Sequence, residues 1–194
     1  MNVLEGPEVG FFERNNGLGD IGTRSSNLFR SSLLCLFHIF KQMNLSTLVK
    51  QVTIKSDGDV FHEIFRQRPH HISEMSPGCI KGVNLHDGEW GVVGSVIVWD
   101  FIHDGKSKVA KEVIEAIDEE KKSVCFKVIG GDILEAYKTF LITVHVDTNG
   151  EENIVTWTFH YEKLNEDIGE PNSLMDFCLT VTKDIENHHL PKSN

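Results

Sequence analysis

The sequence predicts an α+β fold in which a curved antiparallel sheet grips one long helix. Two patterns carry that expectation. Strand-like segments recur roughly every ten residues between Ile80 and Lys163, with turn residues between them. Connections that short join hairpins, because parallel neighbours need a crossover of a dozen or more residues. One long helical pattern, Glu170–His189, follows the strands. Its Leu174, Phe177, Cys178, Val181 and Ile185 recur at three- and four-residue steps and share a face. An amphipathic helix of that length must lay its apolar face on something, and the sheet is the large candidate.

The elements follow in order. Ser46–Lys55 alternates as a strand and stops at Asp57-Gly58. Val60–Arg68 places Phe61, Ile64 and Phe65 on one helical face, and Pro69 breaks it. His70–Met75 forms a second short helix before Pro77-Gly78, so two short helices sit between the first two strands. Ile80–His86 is the second strand, and the glycine-rich stretch Asp87–Gly94 leads to the third, Ser95–His103. Asp104-Gly105 turns into the fourth, Lys108–Asp118, and the charged turn 119–122 into the fifth, Val124–Ile129. Leu134–Val146 is the sixth strand, and Asn149-Gly150 makes a hairpin into the seventh, Ile154–Lys163. For the last helix, Pro171 suits the first turn, Ser173 with Asp176 resembles a capping box, and Pro191 supplies the stop.

The charge balance narrows the partners. Lys and Arg number 19 against 29 Asp and Glu, a net charge of −10. Residues 1–42 hold four of each sign, so the excess belongs to residues 43–194. An acidic domain without a basic stripe speaks against nucleic acid and anionic membrane as partners. Cys35, Cys79, Cys125 and Cys178 show no metal-ligand spacing and read as reduced thiols in a cytoplasmic protein. Residues 1–32 are polar and without periodicity, and Leu33–Phe40 is a short apolar run. That run lies far from the start, has acids upstream, lacks a small-residue cleavage site and is too short to span a bilayer. Residues 1–42 therefore read as a disordered or non-native extension, with the folded pattern beginning after Met43.

Alternation sorts the strand faces. Ile97, Trp99 and Phe101 fall together, as do Val124, Phe126 and Val128, then Tyr137, Thr139 and Leu141, then Val155, Trp157 and Phe159. The fourth strand departs from this apolar rule: Ala110, Glu112, Ile114 and Ala116 share a face. A carboxylate turned into a dry core costs several kcal/mol unless it is paired. A hollow relieves that cost, with Lys81 on the second strand as a candidate partner. An apolar wall carrying a few inward polar groups is the composition of a small-molecule pocket.

Residues 43–194 resemble the plant major latex proteins, a branch of the birch-pollen-allergen (Bet v 1) and pathogenesis-related superfamily. The resemblance rests on GEWGVVGS (88–95), WDFIHDGK (99–106), AKEVIEAIDEEKKS (110–123), VIGGDILEAYKTF (128–140), VTWTFHYEKL (155–164) and SLMDFCLTVTKDIENHHL (173–190). It implies a helix-grip (START-like) fold, a seven-stranded antiparallel sheet wrapped around the C-terminal helix. It also implies an internal hollow that takes fatty acids, steroids, flavonoids or cytokinins, in a protein associated with plant defence and stress. Matching the family's lining positions gives Ile97, Trp99, Phe101, Glu112, Phe126, Tyr137, Thr139, Trp157 and Phe159, with Cys178 and Val181 from the helix. Lys81, Glu112, Phe126 and Tyr137 also match ligand-contacting types of the superfamily's abscisic acid receptors. The gate and latch motifs of those receptors are absent at His103–Lys106 and Ile133–Glu135, so hormone-gated phosphatase inhibition is not expected.

Other chemistry fits less well. The glycine-rich stretch joins two strands, whereas a phosphate cradle feeds a helix N-terminus. His70-His71 and His188-His189 are adjacent pairs, whose side chains diverge on a helix, so no metal is expected. Glu112, Tyr137 and Lys81 could imitate the active site of condensing enzymes that share the fold, which makes such an enzyme the alternative function. The leading expectation is a monomeric, non-catalytic binder of apolar or amphipathic small molecules that needs no cofactor. Trp157→Ala and Phe126→Glu are expected to weaken binding and leave the domain folded.

Overall fold

The structure, a computed structural model, describes residues 45–149 and 152–190. The expectations for residues 1–42, the turn at Gly150 and the stop at Pro191 lie outside them. Strand β1 (Ser46–Ile54) is followed by helix α1 (Gly58–Gln67), a 3₁₀ turn (Pro69–His71) and the short helix α2 (Ile72–Met75). Strands β2 (Ile80–Asp87), β3 (Val96–His103), β4 (Lys106–Asp118) and β5 (Ser123–Gly131) come next. A second 3₁₀ turn (Asp132–Glu135) leads to β6 (Tyr137–Asn149), β7 (Glu152–Lys163) and helix α3 (Asn172–His189). The seven strands form one antiparallel sheet in the order β1-β7-β6-β5-β4-β3-β2. The chain crosses once from one sheet edge to the other, through the short helices, and then returns strand by strand.

Local chemistry sets the helix boundaries. Asp57 caps α1, its side chain accepting from the Asp59 and Val60 N–H groups. Phe61, Ile64 and Phe65 are buried on one face of α1, as the three- and four-residue spacing requires. The capping box expected at Ser173 does not form. Pro171 is the N-cap residue of α3, without a side-chain bond, and its carbonyl accepts from the Met175 N–H. Leu190 closes α3 in extended backbone, its N–H donating to the Glu186 carbonyl.

One face of the sheet and of α3 make the core. Ile97, Trp99, Phe101, Val124, Phe126, Val128, Val155, Trp157 and Phe159 are all buried, as alternation predicts. Leu174, Cys178, Val181 and Ile185 of α3 pack on them, together with Met175 and Thr182. Trp157 donates its indole N–H to Thr182 Oγ1 at 2.9 Å and meets the Phe65 ring edge-on at 5.3 Å, joining sheet, α3 and α1.

The C-terminal half of α3 is tied by charge-assisted bonds. Glu186, buried, accepts the Lys55 N–H at 2.6 Å and the Lys183 ammonium at 2.7 Å. Lys183 also reaches the Thr53 carbonyl at 2.7 Å, and Ser76 donates to Asp184 at 2.5 Å. Near the helix N-terminus, the Tyr137 hydroxyl donates to the Gly169 carbonyl at 3.1 Å and Lys163 pairs with Glu170 at 2.7 Å.

Gly131 ends β5 with φ of +91° and ψ of −170°, a region open essentially to glycine. A Cβ there would also collide with the Val109 carbonyl on β4. Gly131→Ala is therefore expected to lower stability by about 2 kcal/mol or more, read as a fall in the urea midpoint with the slope unchanged.

Candidate functional site

Between the sheet and α3 the packing leaves a cavity of ≈ 70 Å³. Its wall comes from α1 (Phe65), β2 (Ile80), β3 (Trp99, Phe101), β4 (Ala110, Glu112), β5 (Phe126), the second 3₁₀ turn (Ile133), β6 (Ile142), β7 (Trp157) and α3 (Leu174, Phe177, Cys178, Val181). A second pocket of ≈ 240 Å³ lies at the N-terminal end of α3, and Phe101, Ile133 and Leu174 line both. The outer pocket is polar as well as apolar, with His103, Lys108, Asp132, Tyr137 and Glu170 on its rim. The rings of Phe101 and His103 lie 5.4 Å and 5.9 Å from Phe177, so aromatic side chains stand between the two spaces. Pockets for drug-sized ligands run from about 300 to 1,000 Å³. The inner space alone takes a small group, and a larger guest must extend into the outer one.

Glu112 is the chemical exception in this wall. It is 4% exposed, and among the described residues it has no ion-pair partner. Burial away from water penalises the carboxylate and pushes its pKa up to about 7, against a smaller opposing effect of the Trp99 indole N–H. That N–H lies near enough to favour the ionised acid, but among the described residues no acceptor meets the buried Trp99 Nε1 with hydrogen-bond geometry. Cys178 faces the same space, and burial together with Glu112 holds its thiol far above the ordinary range. It is a protonated, inert sulfur, not a nucleophile.

Seven of the residues expected to line a hollow do line the inner cavity: Trp99, Phe101, Glu112, Phe126, Trp157, Cys178 and Val181. Tyr137 faces the outer pocket, while Ile97 and Phe159 are buried but line neither space. Two expectations are corrected. Lys81 is exposed on the opposite face, its ammonium on the Pro77 carbonyl at 2.7 Å. A bulge between Ile80 and Gly82 shifts the alternation, so Ile80 and Val83 turn in. Thr139 likewise lies outside, because a bulge between Tyr137 and Thr139 resets β6 and turns Phe140, Ile142, Val144 and Val146 inward. A third bulge, between Ile114 and Ala116, puts Ile117 against the core in place of Ala116.

Several lining residues were not anticipated. Phe65 was visible on the apolar face of α1, and Ala110 was visible as an inward residue whose small size leaves room. Ile133 sits in a turn, where no periodicity points inward. The set Glu112, Tyr137 and Lys81 is not assembled: one lines the inner cavity, one the outer pocket and one the far face. Among the described residues, no three His, Cys, Asp or Glu side chains gather to hold a metal, and no helix is long and apolar enough to cross a membrane.

Comparison with known proteins agrees with this geometry. Residues 43–192 match the profile of the Pathogenesis-related protein Bet v 1 family. MLP-like protein 34 of Arabidopsis thaliana is 45% identical over 146 residues, covering 74% of this chain and 46% of that protein. MLP-like protein 31 of the same plant is 44% identical over 145 residues, covering 74% of this chain and 85% of that protein. The chain thus spans about half the length of MLP-like protein 34 and most of MLP-like protein 31. The crystal structure of major latex-like protein 151 from Panax ginseng superposes with a TM-score of 0.75 at 55% identity, covering 76% of this chain and 99% of that one. Norcoclaurine synthase from Thalictrum flavum, at 16% identity and a TM-score of 0.58, shares the fold alone. With the sheet, the helix and the sequence profile in agreement, the chain belongs to the Pathogenesis-related protein Bet v 1 family.

Proposed function

We propose that this chain is a non-catalytic carrier that takes an apolar or amphipathic small molecule between its sheet and α3. The observation that supports this most is an almost wholly apolar cavity holding one buried carboxyl group that has no ion-pair partner among the described residues. Such a group weakens a core, and a pocket gives it a use. Apolar area removed from water would drive association at about 25 cal/mol per Å² before ordering costs. The guest's apolar part fills the space beside Phe126 and Trp157, and the rest extends past Phe101 and Phe177 into the polar-rimmed outer pocket. Steroid, flavonoid, cytokinin and fatty-acid classes all have that division, and a role in plant defence fits a carrier of such compounds. A carrier reading also suits the inert Cys178 and the outward Lys81, which leave Glu112 without partners for covalent or acid–base work.

Filling the cavity tests this. Ala110→Leu and Cys178→Leu add bulk from opposite walls, on β4 and α3. Each is expected to weaken binding of an apolar fluorescent dye about ten-fold or more, with overpacking of about 1–3 kcal/mol that leaves the domain folded. Unchanged dye affinity in both folded variants would reject the cavity as the binding site.

A further inference from the structure

Resting on the carrier reading, we infer that the buried end of the guest carries a hydroxyl, alcohol or phenol, which donates to the Glu112 carboxyl and accepts from the Trp99 indole N–H. Both groups line the inner cavity from neighbouring strands, in a register that pairs Trp99 with Ala110 and Ile97 with Glu112. Both are more than nine-tenths buried, with Trp99 9% and Glu112 4% exposed. Of the other polar side chains in that wall, Trp157 already gives its indole N–H to Thr182, and Cys178 has a thiol that is a weak donor and a weak acceptor. Among the described residues, the cavity therefore offers one strong donor that lies near Glu112 but meets no acceptor with hydrogen-bond geometry, and one carboxyl that has no cation.

The chemistry of the pair selects the ligand group. An indole N–H can only donate, so the guest must present an acceptor to Trp99. A carboxyl group keeps an acceptor oxygen whether ionised or protonated, so the guest must also present a donor to Glu112. A hydroxyl does both through one oxygen and fits either protonation state. An ammonium group only donates and leaves the indole unmet. A ketone or ether only accepts, and it faces repulsion from the ionised carboxylate. Water can make the same two bonds, and the guest's hydroxyl takes its place. The alanine at position 110, paired with Trp99 in the register, lines the same space with a small side chain.

The test uses the full chain and four small aromatic probes of similar shape: 4-ethylphenol, 4-ethylanisole, 4-ethyltoluene and 4-methylacetophenone. Affinities come from NMR-detected titration of the parent, Trp99→Phe, Glu112→Leu and Glu112→Gln. The parent is expected to bind the phenol about ten-fold tighter than the anisole, the scale of one hydrogen bond to a charged group. The preference should fall to within about two-fold in Trp99→Phe and Glu112→Leu, and should largely survive in Glu112→Gln, whose amide still accepts and donates. Equal affinity of the parent for phenol, anisole and toluene would overturn the hydroxyl assignment and leave the carrier reading intact. Tighter binding of the ketone than of the phenol would overturn it too, as would a preference that persists in both Trp99→Phe and Glu112→Leu. Binding of none of the four would overturn the hydroxyl and the carrier together.

Discussion

Raising the pH from 5 to 8 is expected to cost this domain roughly 2 to 3 kcal/mol of stability through Glu112 alone. In the unfolded chain the carboxyl ionises near its ordinary 4.5, whereas in the fold burial raises it to about 7. Between those values the native state binds the extra proton, so stability falls as the pH rises and levels off above the folded pKa. His62, His70 and His160 act in the opposite direction. Burial lowers each below 6.5, so what they contribute is present above that pH and fades as the solution becomes acidic. The informative quantity is therefore the difference between the parent and Glu112→Gln, which removes one titration and leaves the histidines. Urea midpoints at unit pH steps should show the parent losing ground to the glutamine variant from pH 5 upward. Parallel curves would mean that water or a bound guest already solvates the acid.

Trp157→Ala should be the most damaging single substitution in the cavity wall, at about 3–5 kcal/mol. Trp157 is 3% exposed, and its ring does more than line the space. It meets Phe65 edge-on and donates to Thr182 on α3, so its loss opens a void and frees an acceptor at once. Thr182→Val should cost about 1–3 kcal/mol by stranding the indole N–H. In Trp157→Phe with Thr182→Val the two losses should overlap, because each single change breaks the same bond. A double variant no worse than the more damaging single one, measured by urea unfolding, is the expected result; simple additivity would count against the bond. This differs from the expectation that Trp157→Ala would weaken ligand binding and spare the fold. Alternation placed the ring inward correctly, but the hydrogen bond to a helix residue 25 positions away has no signature in the strand.

That contrast marks how much was legible. Periodicity specified the seven strands, the long helix and the inward sets Ile97-Trp99-Phe101 and Val155-Trp157-Phe159, because strands buried on one face hold a strict period of two. The same rule misplaced Thr139, and Lys81, offered as a partner for Glu112, faces outward. Each stands beside a bulge, where one additional residue reverses every later side chain. Glu112 was legible for a different reason: a carboxylate inside an apolar alternation conflicts with burial, and such conflicts concentrate at functional positions. Spacing put Leu174 and Phe177 on the apolar face of the helix but gave no sign that they, with Ile133 in its turn, stand where the two spaces meet. Their role depends on how a turn and a helix meet across the sheet.

The bonding of α3 is lopsided, and that lopsidedness governs how the interior can widen. One end is bolted down: Glu186, Lys183 and Asp184 fasten it to Lys55, Thr53 and Ser76. At the opposite end the polar ties fall just before the helix, from the Tyr137 hydroxyl to Gly169 and from Lys163 to Glu170, and the helix itself is held by the apolar packing of Leu174 and Met175. A rod clamped at one tip and lightly propped at the other moves as a cantilever. Any widening of the interior is then expected as a small lift of the propped tip, larger at Leu174 and Phe177 than at Ile185. The sheet need not deform at all.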